Sequence, residues 1–343
     1  MVRYCLIAAL VATGPGWTQS LNAGTRTVTV SGKAYGVRVV EVPATAFRLR
    51  VGLAQGRVGA VSSLAAIAQR YGAVAAINGC FFDAYSGLAV RNPHHTLIVG
   101  GQVIHRGDVG CLLGIWPDGR ARIAGMKTRL CGSLDGSERW PNNWYAYWLN
   151  RLPENATTVT IFTPQYCQAR TPGGGTQVVV RQGVVRGVAA GSQAIPTDGY
   201  VIYFRGAEAK LAERFRVGRR CAYRVSFTAD DGSGGWGQVQ EGMGCFPHLI
   251  RGGQIAVGPQ TVVRSKAGDL GNRSGLGLRA NGNFILATAG AMSLTRWAEV
   301  LRALGCRDAL NLDGGASSGL YANGKLLTTP GRQISNALVV VRR

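Results

Sequence analysis

Turn signals recur along this sequence at intervals too short for long helices. The chain has 343 residues, of which 50 are Gly and 12 are Pro, and Asp-Gly or Asn-Gly pairs stand between short apolar runs at 118–119, 281–282 and 323–324. These dipeptides favour tight turns between antiparallel strands. Because 46% of the residues are hydrophobic and only 16% are charged, the chain can bury a sizeable core. The pattern predicts many short strands around such a core.

Two segments instead carry the 3.6-residue periodicity of short helices. The first begins at Ser62 or Ser63 and ends at Gly72, and the second covers 293–305, with Ser293 as its cap. The expected fold class is therefore α+β: one large mixed-sheet domain, residues 24–343, with many short strands and a few short helices packed on the sheet.

The N-terminus has the features of a secretory signal peptide, assigned here to residues 1–23. Arg3 precedes an apolar stretch from Tyr4 to Ala12, and cleavage is expected near Ser20 or Ala23. The apolar stretch is too short to cross a bilayer, and no later segment reaches about 18 uninterrupted apolar residues. We expect a secreted, periplasmic or cell-envelope protein with no integral membrane span.

Cysteine and histidine usage gives no metal or cofactor signal. The sequence has no Cys-x-x-Cys spacing, and His94, His95 and His105 have no accompanying Glu or Cys at a known metal-binding spacing, so they are expected at the surface. In an exported protein some cysteines should form disulfides, with one left over. The seven beyond the signal peptide are Cys80, Cys111, Cys131, Cys167, Cys221, Cys245 and Cys306.

The formal net charge of +21 comes almost entirely from arginine, since lysine occurs at only five positions. A basic, arginine-rich surface attracts phosphate groups and anionic polymers. The arginines are scattered, and no Lys/Arg run is typical of a nucleic-acid-binding arm. The expected partner is therefore a sugar phosphate or an anionic glycopolymer, not nucleic acid. The sequence does not indicate an oligomeric state.

Two distant parts of the chain share a weakly similar pattern of predicted elements. In each part a short helix, a Gly and an apolar strand lead to a polar residue followed by Gly: Asn78–Gly79 and Asp313–Gly314. If both strands lie in one sheet and run parallel, Asn78 and Asp313 come out at the same sheet edge, where ligands bind in α/β proteins.

Three predicted strand–loop junctions, at 77–83, 272–278 and 310–318, each place a polar or charged residue beside Gly. Because side chains two apart in a strand share a face, Asn311 and Asp313 are expected to point together. The amides of Gly314 and Gly315 can approach an anion closely, and Arg273 can supply a planar fork for phosphate. Asp-Gly and Asn-Gly are also ordinary turn dipeptides, so the residues alone leave a purely structural role open.

One motif in the same stretch points elsewhere. Residues 315–319 fit the Gly-x-Ser-x-Gly nucleophile elbow, but that motif needs a helix after the serine, and a hairpin is predicted there. No His follows Ser317, although the combination of His248, Asp269 and Ser317 stays open. A serine hydrolase using Ser317 is therefore kept as an alternative.

Taken together, these segments resemble the phosphodiester glycosidase family over nearly all of the mature chain, and the ending from 293 to 324 is the most specific part. The resemblance implies hydrolysis of a sugar-1-phosphodiester to free sugar and a phosphomonoester. It implies catalytic roles for Asp313, Arg273 and Asn78. The candidate substrate- or phosphate-binding residues are Gly79, Gly314, Gly315, Ser317, Asn311 and Ser274.

Several positions depart from the family pattern. Cys80 stands where Gly is usual, Ser274 replaces the common Thr, Cys245 lies in a Gly-rich stretch, and 287–290 lack a frequent polar pair. These departures put substrate choice in doubt more than the fold. The role of Asp313 stays open between general base, nucleophile and sugar-orienting group. A non-catalytic envelope polysaccharide-binding protein on the same fold is the second alternative, and a nuclease is a distant third.

Overall fold

The computed structural model describes residues 21–257 and 270–343. Residues 1–20 of the expected signal peptide lie outside the described residues, as does Asp269 of the alternative serine-hydrolase triad. Residues 21–23, the last three assigned to that peptide, lead into and begin the first strand. No helix in the two described ranges is long and apolar enough to cross a membrane.

Strands are the main secondary structure of the described chain. In its first half they are β1 (Asn22–Val30), β2 (Lys33–Val42), β3 (Phe47–Leu53), β4 (Ala75–Asn78), β5 (Leu97–Val99), β6 (Gln102–His105), β7 (Gly110–Ile115), β8 (Ala121–Leu134), β9 (Asn143–Ala146), β10 (Trp148–Leu149), β11 (Thr158–Phe162) and β12 (Thr176–Arg181). In its second half they are β13 (Val184–Ala190), β14 (Gly199–Arg205), β15 (Cys221–Ala229), β16 (Glu241–Cys245), β17 (His248–Arg251), β18 (Gln254–Ile255), β19 (Gly271–Leu278), β20 (Phe284–Met292), β21 (Asp308–Asn311), β22 (Leu320–Ala322), β23 (Lys325–Thr328) and β24 (Asn336–Arg342).

The described strands form four sheets. Sheet one has the order β1-β2-β20-β19-β21-β17-β18, and sheet two has the order β10-β11-β14-β12-β13. Sheet three runs β15-β8-β7-β16-β5-β6 with β9 paired to β8, and sheet four runs β23-β22-β4-β24-β3. Neighbouring strands are antiparallel except for β10 and β11, which are parallel. The expected strand-rich α+β class is confirmed.

Two short α-helices of the described residues cover outer faces of these sheets, α1 (Leu64–Arg70) and α2 (Leu294–Ala303). Each begins as the sequence predicts, because the hydroxyl of Ser63 or Ser293 accepts a hydrogen bond from the backbone N–H three residues later. The apolar stripe of α2 packs on sheet one, where Trp297 is 0% exposed. The stripe of α1 packs against the strands of sheet four.

One apolar core joins three of the four sheets. Side chains from sheet one (Leu276, Leu310), sheet three (Leu113, Met243) and sheet four (Ile77, Leu338) meet in it. Sheet two packs separately, with Val159 and Ile202 against Leu130 and Leu134 of β8. Sheets one, three and four therefore form one packed body, and sheet two is attached to it through sheet three.

The strands that precede Asn78 and Asp313 lie in different sheets. β4 is in sheet four, between β22 and β24, whereas β21 is in sheet one, between β19 and β17. The placement of both strands in one sheet, which the sequence analysis considers as a condition, is therefore not found. The two strand ends still meet, because residues 312–319 cross from β21 in sheet one to β22, which pairs with β4 in sheet four.

The cysteines do not pair as expected. All seven in the described residues are free thiols. Cys80, Cys111 and Cys245 pack in the shared core of sheets one, three and four, while Cys221 and Cys306 are buried in two other apolar clusters. Their physical role here is that of small apolar side chains.

Candidate active site

A cavity of about 560 Å³ opens at the junction of sheets one and four. Its walls come from the loop after β4, the β16–β17 connection, the start of β19 and the crossing segment after β21. Six of the nine candidate site residues line it: Arg273, Asn311, Asp313, Gly314, Gly315 and Ser317. The structure thus brings residues of all three strand–loop junctions, 77–83, 272–278 and 310–318, to one cavity.

The backbone of Asp313 is fixed from both sheets. Its N–H donates to the carbonyl oxygen of Gly79 at 3.0 Å, and its own carbonyl oxygen accepts from the side-chain amide of Asn78 at 2.6 Å. One residue earlier, Leu312 N–H donates to Ser274 O in sheet one at 3.0 Å. The residue is thereby held at the point where the chain changes sheets.

The Asp313 carboxyl group is half-buried at the cavity wall. Loss of hydration there raises its pKa from the ordinary value to about 6. Hydrogen bonds from the Ser317 hydroxyl and the Gly314 N–H oppose that rise, as does the positive charge of Arg332. The result is a carboxyl group that changes protonation state close to neutral pH.

The two glycines after Asp313 have different surroundings. The Gly314 N–H lies close enough to the Asp313 carboxyl group to favour its ionised form, and contact of the Gly314 and Gly315 amides with phosphate stays a prediction. Gly315 is exposed, has a φ of 59°, and would have open space around an added Cβ. Its backbone is therefore accessible from the cavity.

Asn311 and Asp313 point into the same cavity, as the strand period predicts, while Leu310 and Leu312 face the apolar core. The Asn311 side-chain amide donates to Phe246 O at 3.0 Å, which fixes its orientation. Its Oδ1 atom is buried and has no hydrogen-bond partner within the described ranges. A buried acceptor without a partner is costly and is often satisfied by a ligand or water.

Two guanidinium groups line the same cavity. Arg273, at the start of β19, donates from Nε to Met292 O at 2.7 Å. Arg332 lies over the ring of Tyr85, with 4.3 Å from its Cζ atom to the ring centroid, and bonds the Tyr85 hydroxyl. Tyr85 itself is highly exposed. The cavity thus combines one carboxyl group with two cations that match the geometry of phosphate.

His94 also lines the cavity, with its Nε2 atom 2.7 Å from Asp83 Oδ1. Such a carboxylate–imidazole pair orients the ring and is suited to proton transfer. The expectation of surface histidines is wrong for the other two, because His95 and His105 are buried. Burial lowers the pKa of each of these two to about 4, so both are neutral at pH 7.

The remaining three candidates lie behind the cavity wall. Asn78 is 1% exposed, and its amide serves Asp313 O and the N–H of Gly319. An added Cβ at Gly79 would overlap the Asn336 side chain, so only Gly permits this packing. Ser274 is fully buried and does not line the cavity. All three contact the backbone of residues 312–313 from behind the cavity wall, and a direct role toward substrate stays a prediction for them.

The serine-hydrolase arrangement is not assembled in the described residues. Ser317 is 2% exposed, and its hydroxyl bonds Asp313. His248 lies 3.9 Å from Asp308, at the opposite end of β21 from Asp313. A reactive serine needs an adjacent base and access to substrate.

The sequence does not predict Asp83, Arg332 or Asn336 as site residues, and it predicts His94 only as a surface histidine. Asp83 closes the first junction motif, and its distance of 11 residues from His94 is the one signal available. Arg332 lies in a loop with no periodicity. Asn336, the first residue of β24, holds the segment that follows β4. Its Oδ1 atom accepts a hydrogen bond from Cys80 N–H, and its backbone oxygen accepts one from Gly79 N–H, both at 2.9 Å.

Residues 174–341 match the family model of phosphodiester glycosidases. A search of curated proteins gives no match. The family resemblance inferred from the sequence is thus confirmed over the second half of the chain.

Solved structures share the fold. A hypothetical protein from Synechocystis superposes with a TM-score of 0.82 at 23% identity, over 96% of this chain and 63% of that one. A Burkholderia pseudomallei K96243 protein named as exported gives 0.76 at 20% identity, over 90% and 74%. The catalytic domain of zebrafish N-acetylglucosamine-1-phosphodiester alpha-N-acetylglucosaminidase, auto-inhibited by its pro-peptide, gives 0.51 at 15% identity, over 94% and 83%. At these identities the similarity establishes the fold alone, and the chain spans less than two thirds of the Synechocystis protein.

Proposed function

We propose that this chain, which matches the phosphodiester glycosidase family model over residues 174–341, is an exported enzyme that hydrolyses a sugar-1-phosphodiester. The observation that carries the proposal is the half-buried Asp313 carboxyl group in one cavity with Arg273 and Arg332. A carboxyl group suits the reacting sugar carbon, and two guanidinium groups suit the phosphate beside it. The expected signal peptide supports export.

The proposed reaction breaks the bond between the anomeric carbon and the phosphate oxygen. Water supplies a hydroxyl group to that carbon and a proton to the products, and the phosphate leaves as a monoester. Because phosphate is a good leaving group, the main requirements are neutralisation of its charge and stabilisation of an oxocarbenium-like transition state. Arg273 and Arg332 meet the first requirement and the Asp313 carboxylate meets the second.

Asp313 acts on the sugar side, either as the base for the attacking water or as the nucleophile. The anomer released first, observed by proton NMR, distinguishes these two roles, because the base route inverts the configuration and the nucleophile route retains it. The unpartnered Oδ1 of Asn311 accepts a hydrogen bond from a sugar hydroxyl. His94, oriented by Asp83, transfers the proton at the phosphate side.

The test is a release assay over a panel of sugar-1-phosphodiesters, beginning with a GlcNAc-1-phosphodiester and extending to teichoic-acid-like fragments. Wild type should release free sugar, and Asp313→Asn should reduce kcat at least about 10³-fold. Arg273→Ala should mainly raise KM. Asp198→Asn, an exposed carboxylate paired with Arg181 in sheet two, is the matched control.

Full activity of Asp313→Asn would falsify the assigned role. The absence of sugar release from any member of the panel, together with retained polymer binding, would instead favour the non-catalytic polysaccharide-binding alternative. Labelling of Ser317 by an active-site serine reagent would favour the serine hydrolase.

A further inference from the structure

Three adjoining cavities form a groove away from the active site. Their volumes are about 660, 420 and 400 Å³. The first and second share Trp116 and Gly119, and the first and third share Arg122 and Arg279. Because they share wall residues, the three cavities form one continuous surface feature, which we call the basic groove.

The basic groove carries an excess of positive charge. Eight arginines line it, against four carboxylates. Four of the arginines are in ion pairs, including Arg50 with Glu241 and Arg120 with Asp118. No carboxylate within residues 21–257 and 270–343 forms an ion pair with the other four, which are Arg48, Arg122, Arg307 and Arg343. All four are exposed. The unpaired charge is therefore available to an anionic ligand.

An aromatic side chain lies in the middle of the groove. Trp116 is half-buried, and its indole N–H donates to Gly235 O at 3.1 Å. Its ring packs against Trp236 with 5.2 Å between the centroids, and Arg122 lies 5.9 Å from the Trp116 ring. A tryptophan held in this way offers a fixed apolar face between cations. That combination fits a ligand that alternates sugar rings with phosphates.

The basic groove and the active-site cavity lie at opposite ends of two strands of sheet one. On β19, Arg273 lines the active-site cavity, whereas Leu278 lines the groove. On β21, Asn311 lines the cavity and Asp308 lines the groove. Leu278 is the fifth residue after Arg273 along the strand, which corresponds to roughly 17 Å. A small substrate in the cavity therefore cannot reach the groove.

We propose that the basic groove, defined by Arg48, Arg122, Arg307 and Trp116, is a second, non-catalytic binding site for a phosphate-bearing glycan chain. The proposal rests on the proposed function in that the chain held in the groove is a polymer of the same sugar-phosphate class. Holding one part of a polymer raises the effective concentration of its other parts at the cavity. The groove then lowers KM for long substrates and leaves short ones unaffected.

The test uses a fluorescein-labelled hexamer of GlcNAc-1-phosphate units and the full chain. Binding is followed by fluorescence anisotropy in 50 mM salt, with the double variant Arg122→Glu/Arg307→Glu. The control is Arg186→Glu/Arg216→Glu, which changes the net charge equally at two exposed arginines outside the groove. The groove variant should bind at least about 10-fold more weakly than the control, and wild-type affinity should fall steeply with salt.

Hexamer binding tests the basic groove, and turnover of a monomer tests the active-site cavity. Turnover of a GlcNAc-1-phosphodiester monomer should be within about 2-fold of wild type in the groove variant, while Asp313→Asn should lose turnover and keep hexamer binding. Loss of hexamer binding in the groove variant supports the groove even if wild type cleaves nothing. Equal binding by the groove and control variants overturns it, even if turnover is normal. Equal affinity for neutral chitohexaose, or for single-stranded DNA of equal charge, also overturns it.

Discussion

The side-chain amide of Asn78 donates to the carbonyl oxygen of Asp313 at 2.6 Å and accepts from the backbone N–H of Gly319 at 3.0 Å. The two residues are 235 positions apart in the sequence. One buried amide therefore connects the end of β4 in sheet four to both ends of the segment that crosses from sheet one. This link holds the backbone of Asp313, and with it the carboxyl group that lines the cavity.

Replacing Asn78 should affect stability and catalysis together. Asn78→Ala leaves the Asp313 carbonyl and the Gly319 N–H buried without partners, which should cost about 2–4 kcal/mol of unfolding free energy. Urea denaturation measures this cost, and kcat should fall because Asp313 loses its support. Asn155→Ala, at an exposed loop position, should change neither quantity. A stable variant with normal kcat would contradict the positioning role.

Asp313→Asn should stabilise the protein above pH 6. The folded-state pKa is raised to about 6 by burial, so ionisation of this carboxyl group opposes folding as pH rises through the interval from about 4 to 6. The gain from the amide should be near zero at pH 4 and at most about 3 kcal/mol at pH 7. Urea midpoints of both proteins at pH 4, 5, 6 and 7 measure it. A difference independent of pH would show that the carboxyl pKa is ordinary.

The hydroxyl of Ser317 should set the acid limb of the activity profile. The reaction needs ionised Asp313, so kcat/KM should fall as pH falls through about 6. Ser317→Ala removes a donor that favours the ionised carboxylate, and the limb should move up by as much as about 1 pH unit. Ser318→Ala is the control, since its buried hydroxyl has no partner in the described part of the chain. An unshifted limb in the Ser317 variant would contradict this coupling.

Arg332 should contribute to binding of the phosphate. Arg332→Ala removes a charged donor from the cavity and should raise KM about 10- to 100-fold with a smaller change in kcat. Inhibition by inorganic phosphate should weaken in parallel. Arg302→Ala, at an exposed position on α2, serves as the comparison. If phosphate inhibits both variants equally, Arg332 does not contact the phosphate.

Local rules account for the parts of the fold and site that the sequence predicts correctly. The caps Ser63 and Ser293 act three residues away, and the common orientation of Asn311 and Asp313 follows from the period of a single strand. The DALNLDGG stretch therefore indicates a binding edge before any tertiary contact is known.

Long-range packing accounts for the parts that the sequence misses. The family resemblance implies a catalytic role for Asn78, and the sequence does not predict that its side chain bonds backbone groups more than 230 residues away. Burial of His95 and His105 and the apolar role of the cysteines depend on which sheets share a core. Arg332 reaches the cavity from a loop whose sequence gives no period from which its direction can be read.

The position of β4 between β22 and β24 has a practical consequence for expression of shorter fragments. A fragment limited to residues 174–341 contains Arg273, Asp313 and Arg332 but lacks β4, so β22 and β24 lose the strand that joins them. It also lacks Asn78, Asp83 and His94. Such a fragment would contain the segment that matches the family model but would lack the strand that holds the cavity residues in place. The smallest unit worth expressing for function therefore begins before β4, far upstream of the region that sequence similarity marks.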